Sequence, residues 1–190
     1  MIVEREVTGR KMTATRRNLA QIFAADLILR WVYQMAKTPL LPLFAAVLGA
    51  SEMMTGLIVG VSTFTGMILK PLFGMLSDRW GRRIWLLVAF CLFTIVPFLY
   101  RFLSTPEELF ALRLLHGFAT AILGPVSLAY VADLGRQDRA TRLAVFGMAR
   151  AIAGLGAPLC AGLALTWLDI QTVLTLTGFL SLAAAIPILL

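Results

Sequence analysis

Gly74-Met75-Leu76-Ser77-Asp78-Arg79-Trp80-Gly81-Arg82-Arg83 is a short charged segment set between two long apolar runs. No charged residue stands between Glu52 and Lys70 upstream of it, or between Arg83 and Arg101 downstream. Gly74 and Gly81 permit a tight turn and close helix approach. Asp78, at the edge of the first run, can cap a helix end or pair with an arginine, and Arg82 follows it by one helical turn. Arginines alone would read as an anchor on one side of a membrane. That reading does not account for the acid or the glycines.

The same alternation of neutral run and charged connection continues outward. Arg113 to Asp133 and Arg150 to Asp169 enclose further runs of about 17–19 residues, and about 21 residues follow Asp169. As helix, 21 residues span roughly 31 Å, the thickness of the bilayer hydrocarbon. The runs do not alternate polar with apolar, as membrane strands would. The chain has 190 residues, 59% hydrophobic and only 14% charged, with mean hydropathy +0.86. A soluble domain would carry about 25% charged residues, so this chain lacks the charge to cover a globular surface. The expected fold is an all-α membrane protein, a six-transmembrane-helix bundle. A tail over 1–19 precedes spans near 20–47, 53–75, 84–103, 107–132, 142–165 and 170–190. The first span is the weakest by hydropathy, because Asp26, Arg30 and Lys37 interrupt it. The fourth has the clearest start: Thr105-Pro106-Glu107-Glu108 supplies an N-cap, a Pro at the first helical position and a capping-box Glu.

Lys and Arg set the orientation. Arg5, Arg10, Lys11, Arg16 and Arg17 fill the tail. Lys70, Arg79, Arg82 and Arg83 mark the second connection, and Arg136, Arg139 and Arg142 the fourth. The opposite side carries Glu52, Glu107, Glu108 and Asp169, with Arg101 as its base. The N-terminus is therefore expected on the cytoplasmic side of the cell (inner) membrane. The net charge of +7 mostly records this topology. Aromatic residues lie within apolar runs, away from the basic clusters, so nucleic-acid binding is not expected. The basic lead is too long, and the segment after it too charged, for a signal peptide. Gly56 and Gly60 form a pair four residues apart that would allow close helix approach. Pro39, Pro97, Pro125 and Pro158 predict bends or weak points. Cys91 and Cys160, each mid-run, are expected as small buried filler without a disulfide.

At every defined position, and in the right connection, the Gly74–Arg83 segment resembles the major facilitator signature, Gly-x-Leu-x-Asp-Arg/Lys-x-Gly-Arg/Lys-Arg/Lys. That resemblance implies the N-terminal six-helix half of a transporter of two bundles that rock about a central cavity. It also implies a cytoplasmic gating motif of Gly74, Asp78, Arg79, Gly81, Arg82 and Arg83, with Asp133 joining Asp78 and Arg82 in a charge network. The fourth span, Leu109-x-x-x-Arg113-x-x-His116-Gly117-x-Ala119-Thr120-Ala121, resembles a second motif of the family, Leu-x-x-x-Arg-x-x-Gln-Gly-x-Gly-Ala-Ala, whose arginine is associated with proton coupling. A buried arginine costs at least ~2.5 kcal/mol on insertion scales, so Arg113 should face the bundle and have partners. Arg113, Thr120, Gly124 and Ser127 share a stripe expected to face the cavity, with His116 at its margin. His116 reads either as a hydrogen-bonded helix-contact residue or as a proton carrier. Pro39-Leu40-Leu41-Pro42 resembles the Pro-x-x-Pro ending of the first helix in drug-efflux members. Gly154-Leu155-Gly156-Ala157-Pro158-Leu159-Cys160-Ala161-Gly162 resembles their antiporter motif, with a degraded core.

Asp26, Arg30, Tyr33 and Lys37, spaced by 4, 3 and 4 residues, lie within a narrow arc of the first helix. Asp26 and Arg30 can neutralise each other. Arg150 needs a partner, and Asp26 stands at similar depth. These residues, with Arg113 and His116, form the expected substrate or proton pathway. One histidine and two isolated cysteines make no usual zinc site. With no catalytic triad or phosphate loop, neither an enzyme nor a cofactor is expected, and the proton gradient is the expected energy source. The resemblance implies proton-coupled efflux of small organic compounds by alternating access. Uptake or exchange of an anionic metabolite is the alternative, favoured by the excess of cations over acids. The chain stops at Leu190 without the basic residues that should close the sixth span. It is therefore expected to need a second six-helix half, or a homodimer mate, besides the bilayer and a small-molecule substrate. A half-size module that binds a partner without transporting is the third reading.

Overall fold

The computed structural model describes the backbone of residues 2–134 and 138–189, and the side chains of residues 17–134 and 138–187. Arg5, Arg10, Lys11, Arg16 and Arg136, which entered the orientation argument, lie outside the described side chains. The described chain is helical nearly throughout. Helix α1 runs over Ile2–Met35, α2 over Leu41–Val47, α3 over Glu52–Trp80, α4 over Arg82–Leu99 and α5 over Pro106–Asp133. Then follow α6 over Arg139–Ala164, α7 over Ile170–Leu182 and α8 over Ala185–Leu189. Residues 2–19, expected as a tail, continue the first helix without a break.

Local chemistry sets the helix ends. Ser51 caps α3 by accepting from the Met54 N–H, and Asp169 caps α7 through the Thr172 N–H. The expected capping box on α5 is formed: the Thr105 hydroxyl accepts from the Glu108 N–H at 3.3 Å, and the Glu108 carboxylate accepts from the Ser104 and Thr105 N–H groups. Proline has a graded effect. At Pro39 the missing donor and the ring clash with the preceding turn widen Ala36–Leu40 into one π-helical turn, closed by the Leu41 N–H donating to the Ala36 carbonyl. Three residues after Pro97 the helix tightens into a 3₁₀ turn over Tyr100–Phe102. Helices α5 and α6 run on through Pro125 and Pro158.

Five of the described helical segments are long and apolar enough to cross a membrane: Glu52–Trp80, Arg82–Phe102, Pro106–Asp133, Arg139–Ala164 and Ile170–Pro187. The first segment, with its internal charges, falls short of that standard. Helix α5 is the axis, packed most extensively on α3 and then on α4, while α1 packs on α6 and α4 on α7. Two apolar cores result. One gathers Ala89, Phe93, Ala119, Ile122, Val126 and Phe146; the other gathers Leu40, Phe44, Ile58, Val96, Leu109 and Leu174. The outer faces of α3 and α6 stay apolar and exposed, as at Leu57, Phe64, Ile68, Ile152, Leu155 and Leu159. A bilayer accepts such surface at no cost.

Two packing expectations are corrected. A Cβ on Gly56 or Gly60 would meet nothing within 4 Å among the described residues. The close crossing of α3 and α5 is made lower down, where a Cβ on Gly117 would stand 2.7 Å from Thr65 Cβ, and one on Gly66 2.9 Å from the Thr120 hydroxyl. The Gly56–Gly60 spacing puts small residues on one face, but α5 packs against a different one. Cys91 and Cys160 are free, as expected, but exposed on the outer surface and not buried as filler. In an apolar solvent a thiol gains little by being inside.

Candidate functional site

The α3–α4 turn pivots on Gly81, whose φ of 89° belongs to the left-handed region that side chains resist. Trp80 and Trp85 stack across the turn, with centroids 6.0 Å apart. The turn aims Arg82 at two acids. Its Nη2 lies 2.9 Å from Asp78 on α3, and its Nε 2.7 Å from Asp133 at the end of α5. The guanidinium thereby joins three helices. Arg79 and Arg83 are exposed, and Arg83 lines the neighbouring clefts. A Cβ on Gly74 would meet nothing, so that position makes no close helix approach among the described residues.

Deeper in the bundle, Asp26 on α1 is only 2% exposed. Its carboxylate accepts from Arg30 Nε at 3.0 Å and from Arg150 Nε and Nη2, both at 3.2 Å. The Ser127 hydroxyl stands 2.8 Å from Asp26 and 2.6 Å from the Leu123 carbonyl. One hydroxyl proton serves one of these acceptors at a time. Arg150 also donates to Ser127 at 2.8 Å. One acid thus ties α1 to α5 and α6 while two guanidiniums share it. On one side Asp26 borders a cleft of about 210 Å³ lined by Asn18, Gln21, Arg83 and Tyr130. On the other, Arg30 and Arg150 reach a cavity of about 440 Å³.

Between the two apolar cores sits Arg113, wholly buried. It donates to the Ser62 hydroxyl on α3 and lies 3.3 Å from His116 Nδ1. Arginine can only donate, so Nδ1 accepts and the ring proton sits on Nε2; that atom has no hydrogen-bond partner among the described residues. Tyr33 packs edge-on to His116 at 5.1 Å and beneath the Arg113 guanidinium at 5.8 Å. Phe93 closes the other side of the imidazole at 5.2 Å. Among the described residues no carboxylate pairs with Arg113.

The stripe expected along α5 therefore divides. Thr120 and Gly124 line the larger cavity, while Arg113, His116 and Ser127 are buried behind it. Tyr33 lines it from α1 and Lys37 from the π turn, and Lys37 Nζ donates to Thr63 at 2.9 Å. The α6 motif also divides. A Cβ on Gly156 would strike Trp31 of α1 at 2.6 Å, one on Gly154 would meet Gln34 at 3.4 Å, and one on Gly162 would meet nothing. Pro158 lies inside the unbroken α6. The sequence reading left out Ser62, Thr63 and the cavity role of Lys70. A lone serine or threonine in an apolar run carries no signal until its partner is known. Lys70 read only as a marker of membrane side.

The family model that matches this chain is that of the Major Facilitator Superfamily, over residues 27–190. An uncharacterized MFS-type transporter of Methanocaldococcus jannaschii is 26% identical over 150 residues, 78% of this chain and 39% of the relative. Multidrug resistance protein 1 of Bacillus subtilis is 31% identical over 96 residues, 50% of this chain and 25% of the relative. The multi-drug resistance efflux pump PmrA of Streptococcus pneumoniae is 26% identical over 155 residues, 79% of this chain and 39% of the relative. The chain spans 25–39% of the length of these relatives.

Proposed function

This chain belongs to the major facilitator superfamily and is a multi-pass membrane protein, and from that premise we propose that it is the N-terminal six-helix half of a proton-coupled transporter that expels small organic compounds. Helix α1, the π turn and α2 act as the first span. The Asp26–Arg30 pairing cancels charge that would otherwise keep this segment out of the bilayer. The basic tail and the Gly74–Arg83 turn face the cytoplasm of the cell membrane. The partner is a second six-helix half or a homodimer mate, and the likeness to multidrug resistance pumps supports efflux.

The observation that carries this reading is the placement of Asp26. One nearly enclosed carboxylate holds three helices together, with a cleft that carries Asn18, Gln21, Arg83 and Tyr130 among apolar side chains on one side and the cavity on the other. A proton arriving through the cleft neutralises it. Arg30 and Arg150 then lose their shared acid and must find new partners, and α1 and α6 are released from one another. Arg82, bridging Asp78 and Asp133, acts as the cytoplasmic latch that this release loads. His116 is a helix-contact residue in this scheme: a second proton on Nδ1 would face the Arg113 guanidinium, so it takes one only if Arg113 departs. Arg113 holds α3 and α1 in register beside the pathway.

The test is flux in inside-out vesicles under an imposed pH gradient. Asp26→Asn should abolish gradient-driven transport while leaving solute exchange across the membrane, and Arg113→Ala should reduce both. Unchanged proton coupling in both variants would sink these roles.

A further inference from the structure

The cavity on the far side of Asp26 is lined by Arg30, Lys37, Lys70 and Arg150, and no carboxylate among the described residues lines it. Asp26 sits behind Arg30 and Arg150 and offsets only part of their charge. Lys37 and Lys70 have no ion-pair partner among the described residues. Lys37 rests on the Thr63 hydroxyl and, at 5.6 Å, over the Tyr33 ring. Lys70 extends over Gly124, where an added Cβ would stand 3.8 Å from its Cε. Glycine at that position leaves the floor of the cavity clear. Arg113 adds a further buried cation behind Tyr33. Thr63 and Thr120 add hydroxyls to the lining, and Phe93, Leu123, Pro125 and Leu128 make its apolar wall.

A cationic solute entering this space would lose its hydration and meet like charge at short range. An anion would recover part of the desolvation cost of the four cations. A body of drug size fits a cavity of some hundreds of Å³, and its apolar part would find the Phe93 and Leu128 wall. We infer that the solute is a small organic anion, a carboxylate, sulfonate or phosphate ester on an apolar or aromatic body, met directly by Lys37 and Lys70. This rests on the transport reading above and names its substrate class.

The test uses the purified chain in zwitterionic nanodiscs, with fluorescein at about pH 8 as the anionic probe, read by fluorescence anisotropy against empty discs. Fluorescein should bind saturably, and tetraphenylphosphonium, a cation of similar bulk, should not displace it. Lys37→Gln with Lys70→Gln should weaken binding tenfold or more, the scale of losing charge-assisted contacts. Lys70→Glu alone, at an exposed side chain that folding does not depend on, should weaken it as strongly. Displacement by tetraphenylphosphonium, or full binding by the Lys70→Glu variant, would overturn the inference. So would loss of fluorescein binding when the discs contain phosphatidylglycerol, because the cations would then be lipid-headgroup contacts. Fluorescein binding without flux of any organic solute, in vesicles that also carry a second six-helix half, would support the anion site and defeat the transport reading. Gradient-driven flux confined to tetraphenylphosphonium would do the reverse.

Discussion

The molecule holds two arginine–aspartate networks of similar geometry in opposite surroundings. Arg82 meets Asp78 and Asp133 at 2.9 and 2.7 Å, but those acids are 64% and 61% exposed. Arg30 and Arg150 meet Asp26 at 3.0 and 3.2 Å, and Asp26 is 3% exposed in its side chain. Distance alone would rank the first network at least as strong. Environment reverses the order. An exposed pair is worth about 0–1 kcal/mol, whereas removing one partner of a buried pair costs about 3–5 kcal/mol, because the other charge is stranded. The exposed network is suited to open and close within thermal reach. The buried one is suited to hold firmly, because breaking it strands a charge away from water.

Asp26→Ala should produce the largest loss. It leaves two guanidiniums without their acid, and thermal unfolding in detergent should show about 3 kcal/mol of destabilisation, the lower end for a buried pair because both arginines reach the cavity. Added salt should not restore or mimic the effect. A loss below about 1 kcal/mol would put both networks in one class. Arg82→Ala should cost about 1 kcal/mol or less at low ionic strength, and the difference from wild type should vanish near molar salt, where the Debye length falls to about 3 Å. A salt-independent loss would make the latch a structural strut.

The smallest effect belongs to Asp169. The Thr172 hydroxyl, and then the Thr172 N–H, hold its carboxyl below the ordinary value of 3.8. Its cap on α7 is therefore fully present above that value and is lost as pH falls through the lowered folded value. Unfolding midpoints followed from pH 5 downward should decline slightly more for wild type than for Asp169→Asn. Parallel curves would remove the cap from the account.

These contrasts also mark what could be read in advance. Each capping signal was local: Thr105 and Glu108 are three residues apart and need no other part of the chain. Five of the six expected spans were legible because a bilayer tolerates charge only at connections, so charge spacing records helix length. The pairing of Asp26 with Arg150, inferred from matching depth, is found at 3.2 Å, since an unpaired charge at that depth has few acids to choose from. Small-residue spacing carries less information. Gly56 and Gly60 face open space and Gly66 and Gly117 make the contact, because spacing gives a face but not the neighbour it meets.

Sequence by itself determined an apolar helical membrane bundle, its helix starts, and the acids and bases that had to find partners. Apolar runs, caps and isolated charges act over a single helical turn or against the bilayer. Only the tertiary structure decided that Arg113 bonds Ser62 and His116 and has no described acid, that Ser127 joins Asp26, and that Lys70 turns into the cavity. Those outcomes depend on the rotation of each helix about its axis, which side-chain packing across α1, α3, α5 and α6 sets and no one segment encodes.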